Sequence, residues 1–301
     1  MLSRKNKLFL LKLLSLFSIV RGYNILIIVI AQYLTSIFIL APHIPIGQIV
    51  FDAKLFVLIV ASSVVIASGY IINNFYDREK DLINRPQKSM LDRLVSQRTK
   101  LTGYFILNFL SVVLASYVSF KAVLFFSSYI FGIWIYSHKL KKIPFFGNIV
   151  AALLSMIPFF VIFVYYKNFD RVIFVHASFL FLLLIIREMV KDLSTLKGDM
   201  AQDYHTLPII YGERISKVII TSLVLACIFP IYLLLTQYDI GYMGFYFNIV
   251  LVILSFFLIG IWFSISQKHY VWLHNAMKFI IVLGVFNIIL LDIEIIISKF
   301  C

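Results

Sequence analysis

Asn73, Asp77 and Asp81 follow one another at intervals of four, and Glu188, Asp192, Thr195, Asp199 and Asp203 at intervals of four, three, four and four. Residues three and four apart share one face of a helix, so each series forms a stripe of oxygen donors. Gly198 leaves open whether the second stripe is one continuous helix. Like charges four apart disfavour a helix by roughly 0.2–0.5 kcal/mol unless a cation lies between them. Two carboxylate stripes closing one cavity make a site for a hard divalent cation such as Mg²⁺. That ion takes oxygen ligands and is commonly shared between a few carboxylates and the phosphates of a substrate. Lys and Arg interleaved among the acids suit the remaining phosphate oxygens. A single D-x-x-x-D matches by chance and reads as a solvated loop of mixed charge. Nine of the fourteen acidic residues, however, lie in these two segments: Asp77, Glu79, Asp81, Asp92, Glu188, Asp192, Asp199, Asp203 and Glu213. Ionisable groups gathered at a membrane edge point to function.

The elements that must position them are membrane spans. Of 301 residues, 62% are hydrophobic and 14% charged, with mean hydropathy +0.98. These values exclude a soluble globular domain, disorder and a disulfide scaffold. Nine stretches are long and apolar enough to span: 19–41, 54–76, 102–121, 122–138, 145–166, 172–191, 215–236, 244–266 and 275–298. The third and fourth are joined by a tight hairpin near Lys121. Backbone groups in lipid must bond internally, so these are helices. With the amino terminus inside, 22 of the 27 Lys and Arg residues fall on the cytoplasmic side and 5 on the other. That asymmetry sets the orientation and explains the net charge of +13 without nucleic acid. Spans two and six then present both acidic stripes at the cytoplasmic face. Residues 1–18 are basic and apolar but interrupted by Lys12, which favours an uncleaved amphipathic helix at the interface. The expected fold is therefore all-α: a polytopic bundle of nine helices around a central cavity, in one domain over 1–301. Residues 77–101 and 192–214 form its cytoplasmic cap loops, and the protein sits in the cytoplasmic membrane.

The run Asn73-Asn74-Phe75-Tyr76-Asp77-Arg78-Glu79-Lys80-Asp81, followed by Asn84-Arg85-Pro86, is similar to the first motif of the UbiA superfamily of intramembrane prenyltransferases, N-D-x-x-D-x-x-x-D. Lys191-Asp192, Gly198-Asp199 and Thr206-Leu207-Pro208 resemble its second motif, K-D-x-x-D-x-x-G-D-x-x-x-G-x-x-T-L-P. Tyr136-Ser137-His138-Lys139-Leu140-Lys141-Lys142 with Gly147-Asn148 is a third match, and Arg21-Gly22-Tyr23-Asn24 a weaker fourth. Three positions depart from the pattern. Asn74 and Thr195 stand where the family commonly has Asp, and Asp203 stands at a glycine position. Asp203 or Asp192 could compensate for Thr195.

The resemblance implies transfer of a prenyl group from its diphosphate to an acceptor, with Mg²⁺ as cofactor. It implies metal ligation by Asn73, Asp77, Asp81, Asp192, Asp199 and Asp203. Lys139, Lys141 and Arg78 are the implied phosphate contacts, Lys139 foremost by motif position, and Tyr136 would steady the cation or the diphosphate. Asn24, Arg85 and Lys191 match substrate-binding positions. The pattern looks most similar to the branch making archaeal-type ether lipids. There geranylgeranyl diphosphate is the donor and the hydroxyl of a prenylated glycerol phosphate the acceptor. Arg21, Lys88 and Lys197 would hold that second phosphate. Aromatic acceptors of the quinone, tocopherol or chlorophyll type are the alternative within the family. The prenyl tail would lie between helices and continue toward lipid, in a tunnel that aromatics such as Phe75 and Tyr76, with residues of spans four and five, would line.

Other classes fit less well. A phosphotransferase of activated alcohols needs D-G-x-x-A-R, which is lacking. A transporter predicts charged or broken segments at mid-membrane, for which Asp292 and Glu294, close to Lys299, are the one favouring feature. Thr195 and Asn74 keep a degenerate, non-catalytic member in view. The six histidines and Cys227 and Cys301 show no metal-ligand spacing.

Overall fold

The computed structural model describes residues 4–291. Among the described residues every regular element is helical, and nine segments are long and apolar enough to cross a membrane. Helix α1 (Arg4–Ile19) precedes span one, which is α2 (Gly22–Thr35) continued by a π-helical turn (Ser36–Leu40). The short α3 (Ile46–Val50) leads into span two, α4 (Ala53–Tyr76). Two short helices, α5 (Arg78–Asn84) and α6 (Pro86–Asp92), connect to span three, α7 (Gln97–Val118). Span four, α8 (Phe120–His138), follows after Ser119 alone, and span five is α9 (Phe146–Tyr166). Span six, α10 (Arg171–Ser194), is followed by α11 (Leu196–Ala201) and α12 (Leu207–Ile210). Span seven comprises α13 (Gly212–Ala226) and α14 (Ile228–Gln237), spans eight and nine α15 (Met243–Phe263) and α16 (Gln267–Asn287). Proline explains the break in span seven: Pro230 has no N–H for the carbonyl four residues back, at Ala226.

Eight spans begin and end within five residues of their sequence-based bounds. Span nine starts at Gln267 rather than 275. The reason is capping. The Ser266 hydroxyl accepts from the His269 N–H at 3.4 Å, so the helix starts in the polar run Gln267-Lys268-His269 that hydropathy assigns to a loop. Ser96 does the same for α7, accepting from Thr99 at 3.1 Å. The outer end of span nine, with Asp292, Glu294 and Lys299, lies outside the described residues, as does Cys301.

Spans two to five share one apolar core, built on Leu55, Ile59, Val65, Phe126 and Ile162. Spans six to nine share another, built on Leu183, Ile186, Ile220, Phe247 and Met277. Span one packs against α4, α9 and α16, and so touches both halves. The helix-breaking Pro158 inside α9 leaves the Leu154 carbonyl without its N–H. The Tyr129 hydroxyl of α8 donates to that carbonyl at 3.1 Å, and the fully buried Gln32 amide of α2 donates to the Pro158 carbonyl at 2.7 Å. Orphaned carbonyls are costly where water is excluded. Tyr129→Phe is accordingly expected to lower the unfolding free energy in mixed micelles by about 1 kcal/mol. An unchanged unfolding transition would show that the Leu154 carbonyl needs no partner.

Candidate active site

Span two ends at Tyr76, where Asp77 adopts a non-helical conformation (φ −87°, ψ 8°) and α5 begins. The break does not disturb the stripe. Backbone bonds from the Asp77 N–H to the Asn73 carbonyl (2.9 Å) and from the Asp81 N–H to the Asp77 carbonyl (2.8 Å) keep the four-residue register. The segment ends at Arg85, held out of the helical region (φ −144°) by the following Pro86, which opens α6. Span six breaks in the same manner at Thr195, and α11 carries Asp199 onward.

The two segments meet through Asn84 and Gly198. The Gly198 N–H donates to the Asn84 side-chain oxygen at 3.2 Å, and the Asn84 amide donates to the Thr195 carbonyl at 3.2 Å. A Cβ on Gly198 would stand 2.7 Å from Asn84 Cγ and 2.8 Å from the Lys80 carbonyl oxygen, so glycine is required by closeness. This seating brings Lys80 of α5 into an ion pair with the fully buried Asp199 of α11. Thr195 donates its hydroxyl to Asp199 Oδ2 at 2.8 Å and so orients that carboxylate. Lys141, on a 3-10 turn between spans four and five (Leu140–Lys142), donates to Asp77 Oδ1 at 2.6 Å and to Asn73 Oδ1 at 3.2 Å. Asn73 in turn donates to Asp77 Oδ2 at 2.9 Å. From beyond α11, the Tyr204 hydroxyl donates to Asp77 Oδ1 at 2.8 Å. The ammonium groups of Lys80 and Lys142 face the Tyr204 ring at 4.5 and 4.7 Å.

The electrostatics separate the two carboxylates of the first stripe. Burial alone would push the Asp77 carboxyl up. The charges of Lys141 and Lys80, with hydrogen bonds from Lys141 and Tyr204, outweigh it and hold Asp77 down at about 2. Asp81 is pushed up by burial and then by the charge of Asp77, against the pull of Arg85, Lys80 and Arg21. Burial, then Asp77, push the Tyr204 hydroxyl up, which keeps it a donor.

Other expected residues are placed more variously. Asp192 is buried and accepts from the Asn148 amide at 2.7 Å. Tyr136 lies within electrostatic reach of Lys191, Glu188, Asp192 and Asp77, and Lys191 pairs with Glu188 at 2.5 Å. Arg78 is turned outward toward Glu79, and Lys139 and Lys197 are exposed. Asp203 is also exposed; its left-handed backbone (φ 50°) explains why a glycine suits this position. Asn74 points away from Asp77, accepting from Lys100 at 2.8 Å and donating to Asp92 at 2.9 Å. Arg21 caps α2 in a left-handed conformation and stacks over Tyr70 at 5.0 Å, whose hydroxyl accepts from Asn24 at 3.4 Å. Arg21, Arg85, Lys88 and Lys278 line a cavity of about 260 Å³. A largely apolar groove of about 480 Å³ runs beside Tyr76 between spans two, three and four, lined by Ile72, Tyr104, Phe105 and Trp134.

Sequence reasoning missed Tyr204, Lys80 and Lys278. A lysine within span nine was the available signal for the last, since intramembrane cations are rare.

The donors fit Mg²⁺ in kind, because Asp77, Asp81, Asp199 and Asn73 offer oxygens alone. Among the described residues no three His, Cys, Asp or Glu side chains converge to hold a metal by themselves. That suits an ion bound through one or two carboxylates and completed by substrate phosphate and water.

The model of the UbiA prenyltransferase family matches residues 14–290. The digeranylgeranylglyceryl phosphate synthase of Methanobrevibacter smithii is 29% identical over 219 residues, covering 69% of this chain and 72% of that protein. A solved digeranylgeranylglyceryl phosphate synthase has the same fold, with a TM-score of 0.67 at 21% identity over 93% of this chain and 98% of the other. A UbiA homologue from Archaeoglobus fulgidus, solved with GPP and Mg²⁺, superposes with a TM-score of 0.66 at 13% identity, over 91% and 99% of the two chains. With the match spanning all nine membrane helices and both acidic segments, this multi-pass membrane protein belongs to the UbiA prenyltransferase family.

Proposed function

We propose that this prenyltransferase moves a geranylgeranyl group from its diphosphate to the free hydroxyl of geranylgeranylglyceryl phosphate, in a Mg²⁺-dependent step at the cytoplasmic face. The observation carrying this reading is the seating of α5 on α11, which gathers Asp77, Asp199, Lys80, Lys141 and Tyr204 at one end of spans two and six. The synthase from M. smithii supports the choice of acceptor.

In the reaction the allylic carbon–oxygen bond breaks and the diphosphate leaves with the electron pair. The acceptor oxygen forms the ether bond as its O–H bond breaks, and the proton leaves with the departing diphosphate. One or two of Asp77, Asp81 and Asp199, with Asn73, would hold a metal ion, substrate phosphate and water completing its shell. When bound, Mg²⁺ neutralises charge developing on the leaving group. Lys80 and Lys141 carry the further positive charge that diphosphate oxygens require, and their side chains are only 9% and 6% exposed, where such charge acts most strongly. Tyr204 and Thr195 fix the carboxylates they donate to, so little reorganisation is needed when the leaving group departs. Asp77, Asp199 and Lys80 are themselves buried, and a dry site around them would keep water from trapping an allylic cation.

The test is the full chain in nanodiscs with labelled geranylgeranyl diphosphate and either geranylgeranylglyceryl phosphate or 4-hydroxybenzoate. Labelled ether lipid is expected with Mg²⁺ and none after chelation, with recovery when Mg²⁺ is restored. Label on the aromatic product alone would reject the ether-lipid acceptor. Full turnover in a chelator would reject the metal.

A further inference from the structure

We propose that Asn74, Asp92 and Lys100 are positioning residues, a buried relay of cation, amide and carboxylate that ties span two to α6 and so fixes the first acidic stripe; this rests on the prenyl-transfer reading above. The Lys100 ammonium, near the start of α7, donates to Asn74 Oδ1 at 2.8 Å, and Asn74 Nδ2 donates to Asp92 Oδ2 at 2.9 Å. Lys100 and Asp92 are each only 4% exposed. An ammonium only donates and an ionised carboxylate only accepts, so a side chain between them must accept on one side and donate on the other. Asparagine does both. Aspartate in its place would turn an oxygen toward Asp92 Oδ2 with no proton between them, leaving two carboxylates face to face out of water. Asn74 therefore departs from the Asp common in the family for a reason internal to this chain: Asp92, 18 residues on, supplies the carboxylate instead.

The segment enclosed by this relay carries the chemistry. Between positions 74 and 92 lie Asp77, paired with Lys141, Lys80, paired with Asp199, and Asn84, bonded to Gly198. The chain leaves the helical conformation twice on the way, at Asp77 and at Arg85. A tether between the ends removes the arrangements in which those two bends open. Helix α1 braces the same corner. The Ser18 hydroxyl donates to Asp92 Oδ1 at 3.2 Å and the Ser15 hydroxyl to the Leu91 carbonyl at 2.8 Å, so both Asp92 oxygens are engaged and α6 is held from two sides. On span two the neighbour of Asn74 is Asn73, which donates to Asp77 Oδ2 and accepts from Lys141. A rotation of this helix end that displaced Asn74 would carry with it the partner of the Asp77 carboxylate.

The test compares wild type, Asn74→Asp, Asp92→Asn and the swapped variant Asn74→Asp/Asp92→Asn, as full chains in phosphatidylcholine nanodiscs. In the swapped variant every bond has a counterpart. Lys100 donates to the carboxylate now at position 74, the amide now at position 92 donates to that same carboxylate, and its oxygen accepts from Ser18. Asn74→Asp, although it installs the residue common in the family, is expected to lower kcat/KM for the prenyl donor by about 10²-fold, the cost of misplacing reacting groups by about 1 Å. Amide hydrogen exchange over residues 78–91 should quicken in that variant by at least about tenfold, the equivalent of one hydrogen bond to a charged group, with spans six to nine exchanging as in wild type. Asp92→Asn, which leaves Lys100 without a carboxylate, should behave likewise. The swapped variant should recover both readouts, a rescue that a general loss of stability does not produce. Where a single variant fails to fold, the swapped chain still decides: folded and active it supports the relay, unfolded or inactive it overturns it. An Asn74→Asp chain with wild-type turnover and wild-type exchange also overturns it. Hydrogen exchange keeps the relay apart from the reaction. Quickened exchange that the swap reverses supports the relay even where wild type forms no ether. Unchanged exchange in all variants of a chain that does form the ether removes the relay and leaves the reaction standing.

Discussion

Asp77→Asn and Asp199→Asn are each expected to lower kcat by at least about 10²–10³-fold, the scale seen when one preorganised charge-stabilising group is removed from an active site. Asparagine is the informative replacement, since it keeps the shape and can still accept from Tyr204 or Thr195 while removing the charge. Asp77 accepts from Lys141, Asn73 and Tyr204, three groups drawn from three different parts of the chain, and its charge is the feature they share. Asp199 is fully buried and pairs with Lys80. Breaking a buried pair by removing one partner costs about 3–5 kcal/mol because the other charge is left in the interior. Lost activity must therefore be separated from lost fold. Thermal unfolding in detergent and the elution profile should show a folded chain for the Asn variants under assay conditions, with release of diphosphate the activity readout. A folded Asp77→Asn or Asp199→Asn chain with wild-type turnover would reject that residue's part in the chemistry.

Much of this site is legible in the sequence because helical periodicity survives the helix breaks. Asp77 and Thr195 both leave the helical conformation, yet the backbone bonds running from Asn73 to Asp81 preserve the interval of four. Spacing is a backbone property, so a one-dimensional pattern records it. Partner choice is not. Lys139 and Lys141 are two apart in one basic run, and the 3-10 turn from Leu140 sends Lys141 onto Asp77 while Lys139 stays exposed. Charge bias in cytoplasmic loops hides such distinctions, since it supplies lysines for orientation and for chemistry alike. Asn74 shows the same limit from the other side. It occupies a motif position, but as the immediate neighbour of Asn73 it faces about 100° around the helix, into the cluster of Asp92 and Lys100. Asp203 takes a left-handed backbone that the sequence pattern does not record, whereas Lys278 already lies inside span nine as hydropathy bounds it.

Gly198→Val should do nearly as much damage as removing a carboxylate, although no atom of Gly198 carries the chemistry. The Cβ it introduces would meet Asn84 Cγ at 2.7 Å and the Lys80 carbonyl oxygen at 2.8 Å, so α11 must move off α5. Both Asn84 hydrogen bonds across the seam would be stretched, and Asp199 would withdraw from Lys80. Overpacking of this kind costs roughly 1–3 kcal/mol of stability. A displacement of about 1 Å between groups that must act on one substrate costs about 10²-fold in rate. The expected result is a chain that still folds, with kcat/KM for prenyl transfer down about 10²-fold. The double variant Gly198→Ala/Asn84→Ala isolates the cause. If the Asn84 side chain were the whole obstacle, removing it would restore activity to the alanine variant. Because the Lys80 carbonyl is backbone and cannot rotate aside, activity should stay low. Recovery in the double variant would mean that the two acidic segments tolerate separation, and that the metal and diphosphate bridge a wider gap than the close packing of α5 on α11 implies.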